Sequence, residues 1–328
     1  MVRLMMRLKI RPVVRPVVRL VVRPVVRLVV RLGMALACLV VRLGMALACL
    51  DASAADHALL VGVSRYPALP RTLWLEGPAN DVRLMREALH ARGFDPRLVR
   101  SLVDAPTRAD ILGAMAGVLE QVRPGDRVVF HYAGHGSQQP QPSHPRHPEP
   151  DGLDEVLLPA DAGRWQGAGP IEAIPNAIVD DEIGDWIDAL VDKGATVWAF
   201  FDTCHAAGMA RGAVKPLSRA VAPADLGLPR EAQPRATRSL GGPRLDGRVL
   251  VFAGRSHERV AEEWLPRGAG FAASRRHGVF SWHVAALLRE QGLGDARSLM
   301  EALQRRYASE GRTKPVPMFA GAAITGKH

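Results

Sequence analysis

The chain has little cysteine, and its first 50 residues contain no Asp or Glu. Of the three cysteines, Cys38 and Cys49 lie in that N-terminal stretch, so Cys204 is the only thiol beyond it. A single thiol cannot close an internal disulfide, which excludes a disulfide framework for the folded part. The leader also has no charge-free apolar window of the about 20 residues that a membrane-spanning helix needs, because Arg27, Arg31 and Arg42 interrupt it. The formal net charge is +10, but it belongs to the leader. Without the ten basic residues of 1–54 and Asp51, the remainder holds 33 basic and 32 acidic residues. That balance argues against a nucleic-acid partner for the folded part.

The leader repeats short Arg-Pro-Val-Val and Arg-Leu-Val-Val units, and Arg-Leu-Gly-Met-Ala-Leu-Ala-Cys-Leu occurs at 31–39 and again at 42–50. A basic start, an apolar stretch and the small residues Ala52-Ser53-Ala54-Ala55 match a secretory signal peptide cleaved near Ala54 or Ala55. The expected location is secreted or periplasmic, with no stable membrane anchor; a misassigned start would make it cytoplasmic. Residues 1–55 are set aside as leader.

Beyond it, apolar strand patterns at 57–63, 97–103, 127–132, 197–201 and 248–253 alternate with helical ones at 80–92 and 180–192. Thr107 is an N-cap for a further helix carrying Ile111, Met115 and Val118. Helices at 279–290 and 296–307 precede a short end at 315–320. This alternation predicts an α/β domain with a parallel sheet. Residues 136–150 read as loop; His144 and His147 lie there without a further ligand at metal spacing. Residues 211–247, rich in Pro, Arg, Ala and Gly, read as a flexible linker between the regions 56–210 and 248–328.

The apolar strand 197–201 stops at Asp202-Thr203-Cys204-His205, and the strand 127–132 stops at His131-Tyr132-Ala133-Gly134-His135-Gly136. Open α/β sheets place their chemistry at such carboxyl ends of strands. A thiol and an imidazole meeting there form a nucleophile and its base, so Cys204 and His135 are the candidate pair. Read singly, each is more often a buried structural side chain. His205 adjoins Cys204 in sequence, but neighbours on a turning chain point apart.

These two blocks resemble the hallmarks of the metacaspase branch of the caspase-like cysteine peptidases, His-Tyr-Ser-Gly-His-Gly and Asp-Ser-Cys-His-Ser-Gly. Asp151-Gly-Leu-Asp154-Glu155-Val-Leu-Leu-Pro-Ala-Asp161, Val179-Asp180-Asp181-Glu182, Gly77-Pro-Ala-Asn80-Asp81 and Gly278-Val-Phe-Ser281 resemble further blocks of that family, in order, over roughly 57–328. The resemblance implies a three-layer sandwich with a mainly parallel six-stranded sheet, and an endopeptidase cleaving protein or peptide substrates after Arg or Lys. It implies Cys204 as nucleophile, His135 as base, the N–H groups of Gly136 and Cys204 as oxyanion donors, and Asp81 and Asp202 in the S1 pocket. Asp81 is equally at home as a helix N-terminal carboxylate, and Asp202 as a cap on the following turn. Three aspartates, Asp154, Asp180 and Asp181, match calcium ligands of calcium-dependent members, but Arg211 stands where the fourth would be. Calcium is thus an activator by resemblance only, and the chemistry itself requires no cofactor. Ala133 replaces a family serine in the pocket wall, leaving the P1 preference open. Basic residues of the linker, Arg211, Lys215, Arg219, Arg230, Arg235, Arg238 and Arg244, are candidate self-cleavage sites on a surface loop. A monomer is expected. The rivals are a non-catalytic interaction module and a peptidase with another P1 preference.

Overall fold

A computed structural model describes residues 25–34, 36–38, 54–141, 152–165, 173–203, 219, 221–228, 246–255, 258–270 and 272–321. They belong to two units, 1–53 and 54–328. In the first, residues 25–34 and 36–38 are helical, and among the described residues no helix is long and apolar enough to cross a membrane.

In the second unit, strands and helices alternate as the apolar periodicity predicts: β1 (Asp56–Gly62), α1 (Pro78–Ala91), β2 (Val99–Leu102), α2 (Arg108–Gln121), β3 (Arg127–Ala133). The chain continues through β4 (Gly136–Pro140), β5 (Leu153–Leu157), β6 (Ile178–Val179), α3 (Asp180–Asp192), β7 (Thr196–Asp202) and β8 (Arg248–Phe252). It ends with β9 (Glu262–Leu265), β10 (Arg275–Gly278), α4 (Val279–Gln291), α5 (Ala296–Ser309) and β11 (Met318–Gly321). The main sheet has six strands in the order β11-β8-β7-β3-β1-β2. All its pairings are parallel except β11 with β8, which is the mainly parallel six-stranded sheet expected.

Local chemistry starts several helices. Thr107 accepts from the Asp110 N–H while the Asp110 carboxylate accepts from the Thr107 N–H, a closed capping box at α2. Pro78 opens α1, where its missing N–H has no partner to lose.

Strand alternation then divides the core into two. Leu59, Val61, Val128, Phe130, Val197, Ala199 and Phe201 face α2 and α3 with Ile111, Met115, Ile183 and Trp186. Ala58, Leu60, Val129, Trp198 and Phe200 face α1, α4 and α5 with Met85, Phe280, Val284 and Leu303. The same period of two puts His131, Ala133 and Asp202 on the α1/α4 side, because they share parity with Val129, Trp198 and Phe200.

Two expectations change. Residues 136–140 are a strand rather than loop: β4 pairs antiparallel with β5, and its Ser137, Gln138 and Gln139 are buried. A polar, Pro-flanked sequence gives no local sign of a partner strand beyond residue 150, so the pairing is a tertiary decision. His144 and His147 lie outside the described residues. Within 211–247, Arg219 is fully buried rather than on a surface loop. Residues 223–226 form a 3-10 turn that buries Leu226, with Val221 and Leu228 buried beside it.

Phe130 stands at the centre of the first core, edge-on to Trp186 and Phe201 at ring distances of 5.4 and 5.7 Å. Phe130→Ala should lower unfolding stability by about 3–5 kcal/mol. Urea denaturation checks this, and a loss below about 1 kcal/mol would show that the sheet's inner face is not a packed core.

Candidate active site

The site grows from the parallel pairing of β3 with β7. The register sets Ala133 opposite Asp202, and the Gly134 N–H lies 3.4 Å from the Asp202 carbonyl. Two residues past Ala133 comes His135, and two residues past Asp202 comes Cys204 in the sequence. His135 thus follows β3 at the sheet edge where β7 ends. Cys204, Arg211 and Ala206-Ala207 lie outside the described residues.

His135 is held from several directions. Its N–H donates to the Tyr66 hydroxyl at 2.8 Å, and its carbonyl accepts from the Tyr132 hydroxyl and the Leu158 N–H, both at 3.0 Å. Gly134 permits this crowding, since a Cβ there would sit 2.8 Å from the Tyr132 hydroxyl and 3.1 Å from that of Tyr66. The imidazole Nε2 meets the Leu73 carbonyl at 2.5 Å, in the turn before α1. A carbonyl only accepts, so Nε2 carries the proton and Nδ1 is left with its lone pair. Nδ1 has no hydrogen-bond partner among the described residues. Burial pushes the imidazole pKa down to about 4 against the pull of the Leu73 carbonyl, so the ring is neutral at pH 7. Leu73 and Tyr66 were not foreseen; nothing in their spacing marks a backbone carbonyl as an orienting group.

On the α1/α4 side of this edge lies a closed polar pocket. Asp81, in the first turn of α1, and Asp202, at the end of β7, are both fully buried. A third carboxylate, Glu262 at the start of β9, joins them at 1% exposure. Between them sits the Arg219 guanidinium, also fully buried. Its Nη1 meets the Asp202 carboxylate and the Asp202 carbonyl, each at 3.0 Å. Its Nη2 donates to Asp81 and stands 3.3 Å from Glu262.

Each acid is also fixed by the protein. Asp81 accepts from the Gly278 N–H at 3.1 Å and contacts His277 Nδ1 at 3.0 Å. Asp202 accepts from the Ser281 N–H at 3.0 Å and hydroxyl at 2.6 Å, and Ser281 Oγ meets His131 Nε2 at 2.8 Å. Glu262 accepts from the N–H groups of Glu76 and Gly77 at 3.1 and 3.0 Å.

Burial raises all three carboxyls. For Asp81 the Arg219 charge and His277 outweigh burial and hold it below the ordinary carboxylate range; for Asp202 and Glu262 burial wins over Arg219 and holds them above it. Repulsion from Asp81 adds to burial in raising both. His131, behind Ser281, is pushed down to about 4 by burial and stays neutral.

The backbone of Arg219 is as specific as its side chain. Its N–H donates to the Val260 carbonyl at 3.0 Å, and its carbonyl accepts from the Gly136 N–H at 3.2 Å. The Val221 N–H donates back to the Gly136 carbonyl at 3.2 Å. Arg219 and Val221 thus both bond to Gly136, with the Arg219 carbonyl on the N–H expected to serve an oxyanion.

The remaining candidates are not brought together. Asp154, in β5, accepts from the Gln141 side-chain amide at 2.7 Å; Asp180 and Asp181 open α3. Among the described residues no three His, Cys, Asp or Glu are grouped as a metal ion would need. Of the unforeseen residues, Ser281 lay inside a block the resemblance had marked. Glu262 had no sequence signal, since only the β9–β10 hairpin, with Glu262 opposite Gly278, turns it toward the pocket.

Comparison with known proteins agrees with this architecture. A family model described as the caspase domain matches residues 55–328, and the chain belongs to that family of peptidases. Among curated relatives, metacaspase-1 of Lodderomyces elongisporus is 35% identical over 157 residues, covering 45% of this chain and 32% of the relative. Metacaspase-6 of Arabidopsis thaliana is 30% identical over 162 residues, covering 47% and 39%. The chain thus spans about a third of the length of such relatives. Caspase-1 of Spodoptera frugiperda matches in fold with a TM-score of 0.52 at 12% identity, covering 84% of this chain and 91% of that one. A protein of Geobacter sulfurreducens does so at 0.54 and 20% identity, covering 82% and 94%.

Two buried neutral histidines make stability pH-dependent with a definite sign. Above about pH 6.5 folded and unfolded states hold them alike, and full stability is present. As pH falls from 6.5 toward 4, the unfolded chain binds protons that the folded chain refuses, and stability declines. Each histidine should remove roughly 1–2 kcal/mol between pH 6.5 and 5. Urea unfolding across that range should show the slope flattening in His135→Gln; an unchanged slope would mean that His135 is not the buried neutral group described.

Proposed function

We propose that the protein is a cysteine endopeptidase that cleaves after Arg or Lys through Cys204 and His135, with its own linker as the first substrate. The observation carrying this reading is Arg219 itself, a basic side chain buried among three carboxylates with its carbonyl on the Gly136 N–H. A pocket of this charge demands a cationic P1 residue and rejects the aspartate of other caspase-domain peptidases.

In the proposed reaction His135 Nδ1 accepts the thiol proton of Cys204, and the sulfur attacks the carbonyl carbon of the P1 residue. The negative charge formed on the carbonyl oxygen is met by the N–H groups of Gly136 and Cys204. His135 returns the proton to the leaving amine, the C–N bond breaks, and water then releases the P1 carboxylate from the thioester. At pH 7 the imidazole is neutral, so it is free to accept a proton. Leu73 fixes which nitrogen does so.

For the linker the bond cut would be Arg219–Ala220, separating the His135 and Cys204 region from the region beginning at β8. Until that cut, Arg219 competes with any incoming P1 side chain for the pocket. No step is assigned to calcium. The leader, read as an export signal, would place the substrates outside the cytoplasm.

Full-length protein should cleave fluorogenic peptides ending in Arg or Lys and leave those ending in Asp. Cys204→Ala and His135→Ala should each lower kcat/KM by at least about 10³-fold. On a gel the wild type should convert to two fragments, the smaller starting at Ala220, and Arg219→Ala should remove that cut. Preference for Asp, or turnover by Cys204→Ala equal to wild type, would sink the assignment.

A further inference from the structure

We infer that the leader is cut between Ala54 and Ala55, and that the α-ammonium freed on Ala55 pairs with the buried carboxylate of Asp126. This rests on the export reading of the leader and is independent of the peptidase chemistry. Ala55 is where the fold takes hold of the chain. Ala54 is exposed, whereas the Ala55 N–H donates to Asp126 Oδ1 at 2.7 Å and the Ala55 carbonyl accepts from the Arg127 N–H at 2.9 Å. The next residue already lies in the sheet, with Asp56 opposite Arg127 and a side-chain ion pair of 2.6 Å between them.

Asp126 is buried, and the turn that carries it is fixed. Its N–H donates to the Arg123 carbonyl at 3.1 Å, and its carbonyl accepts from the Thr196 N–H at 2.9 Å. Its Oδ2 accepts from the Arg123 N–H at 2.8 Å and stands 3.2 Å from His57 Nε2. Among the described residues His57 is its only ion-pair partner, and an imidazole is a cation only when protonated. A buried carboxylate without a permanent cation is unfavourable. The group on Oδ1 is the amide of Ala55, a neutral donor at the position where a cation is wanted.

Hydrolysis of the Ala54–Ala55 bond changes the charge of that donor and keeps its place. Water supplies a hydroxyl to the Ala54 carbonyl carbon, the C–N bond breaks, and the released amine holds an added proton at pH 7 because its pKa is about 8. The Arg127 N–H still holds the Ala55 carbonyl, so the ammonium forms within hydrogen-bond reach of Oδ1. The agent is a leader peptidase that reads small residues first and third before the cut, here Ala54 and Ala52. A cut after Ala55, which the same small residues allow, would remove both Ala55 hydrogen bonds and leave Oδ1 without this donor. Only the first cut leaves a chain end that matches the fold.

The test expresses the full chain in an exporting bacterial host and reads the recovered protein by N-terminal sequencing. A start at Ala55 is expected. A start at any other residue overturns the inference while leaving export intact, and a chain recovered with its leader overturns both. The pairing is read by urea unfolding of Asp126→Asn in the processed chain and in Ala54→Leu, whose bulky residue before the cut keeps the leader attached. Asp126→Asn should raise the unfolding equilibrium constant of the processed chain at least about 10-fold more than that of the leader-bearing chain. Equal effects overturn the pairing. If Asp126→Asn does not fold, acetylation of the processed wild type at pH 7 decides, followed by mass spectrometry of its N-terminal peptide. An ammonium held by Asp126 should react at least about 10-fold more slowly in the folded protein than in concentrated urea, and equal rates overturn the pairing.

Discussion

Because β3 and β7 pair in parallel with Ala133 opposite Asp202, two strands end at one sheet edge. The imidazole after β3 and the carboxylate at the end of β7 need no local sequence relation. Hydrogen bonding between two buried strands does the positioning, and it is supported by apolar packing on both faces of the sheet. The same register fixes which face receives the pocket. Asp202 shares parity with Trp198 and Phe200, so its carboxylate points to the α1/α4 layer, where the first turns of those helices supply Asp81 and Ser281.

The electrostatics follow from that geometry. Asp81, Asp202 and Glu262 come from three separate elements and converge in a volume closed to water. Carboxylates so placed repel one another and lose hydration, which is tolerable only with a matching cation and backbone donors. Arg219 is that cation in this structure, and the N–H groups of Gly278, Ser281, Glu76 and Gly77 are those donors. In the proposed function a pocket that holds a basic side chain so closely is a recognition element, and its occupant being the protein's own linker joins specificity to self-restraint.

His135 belongs to a different balance. Burial keeps it neutral, and the Leu73 carbonyl chooses its tautomer. An imidazole with its proton on one nitrogen and its lone pair on the other is set up by a backbone group 62 residues away in sequence. Tyr66 and Tyr132, bonded to the His135 backbone, keep the turn from relaxing.

The sequence by itself determined the strand and helix order, because apolar periodicity and caps are local and survive without knowledge of neighbours. It also marked His135, Asp81 and Asp202, whose blocks are short and contiguous. Leu73, Glu262 and the buried place of Arg219 were decided only by tertiary structure. A carbonyl has no side-chain signature, a glutamate on a hairpin looks like any solvated acid, and an arginine in a Pro-rich linker looks exposed. Each takes its role from what the fold brings opposite it. The strand β4 shows the same division, since its polar residues become a strand only when β5 arrives to pair with them. Long-range hydrogen bonding and charge compensation in a dry interior are properties of the folded whole, and no window of sequence contains them.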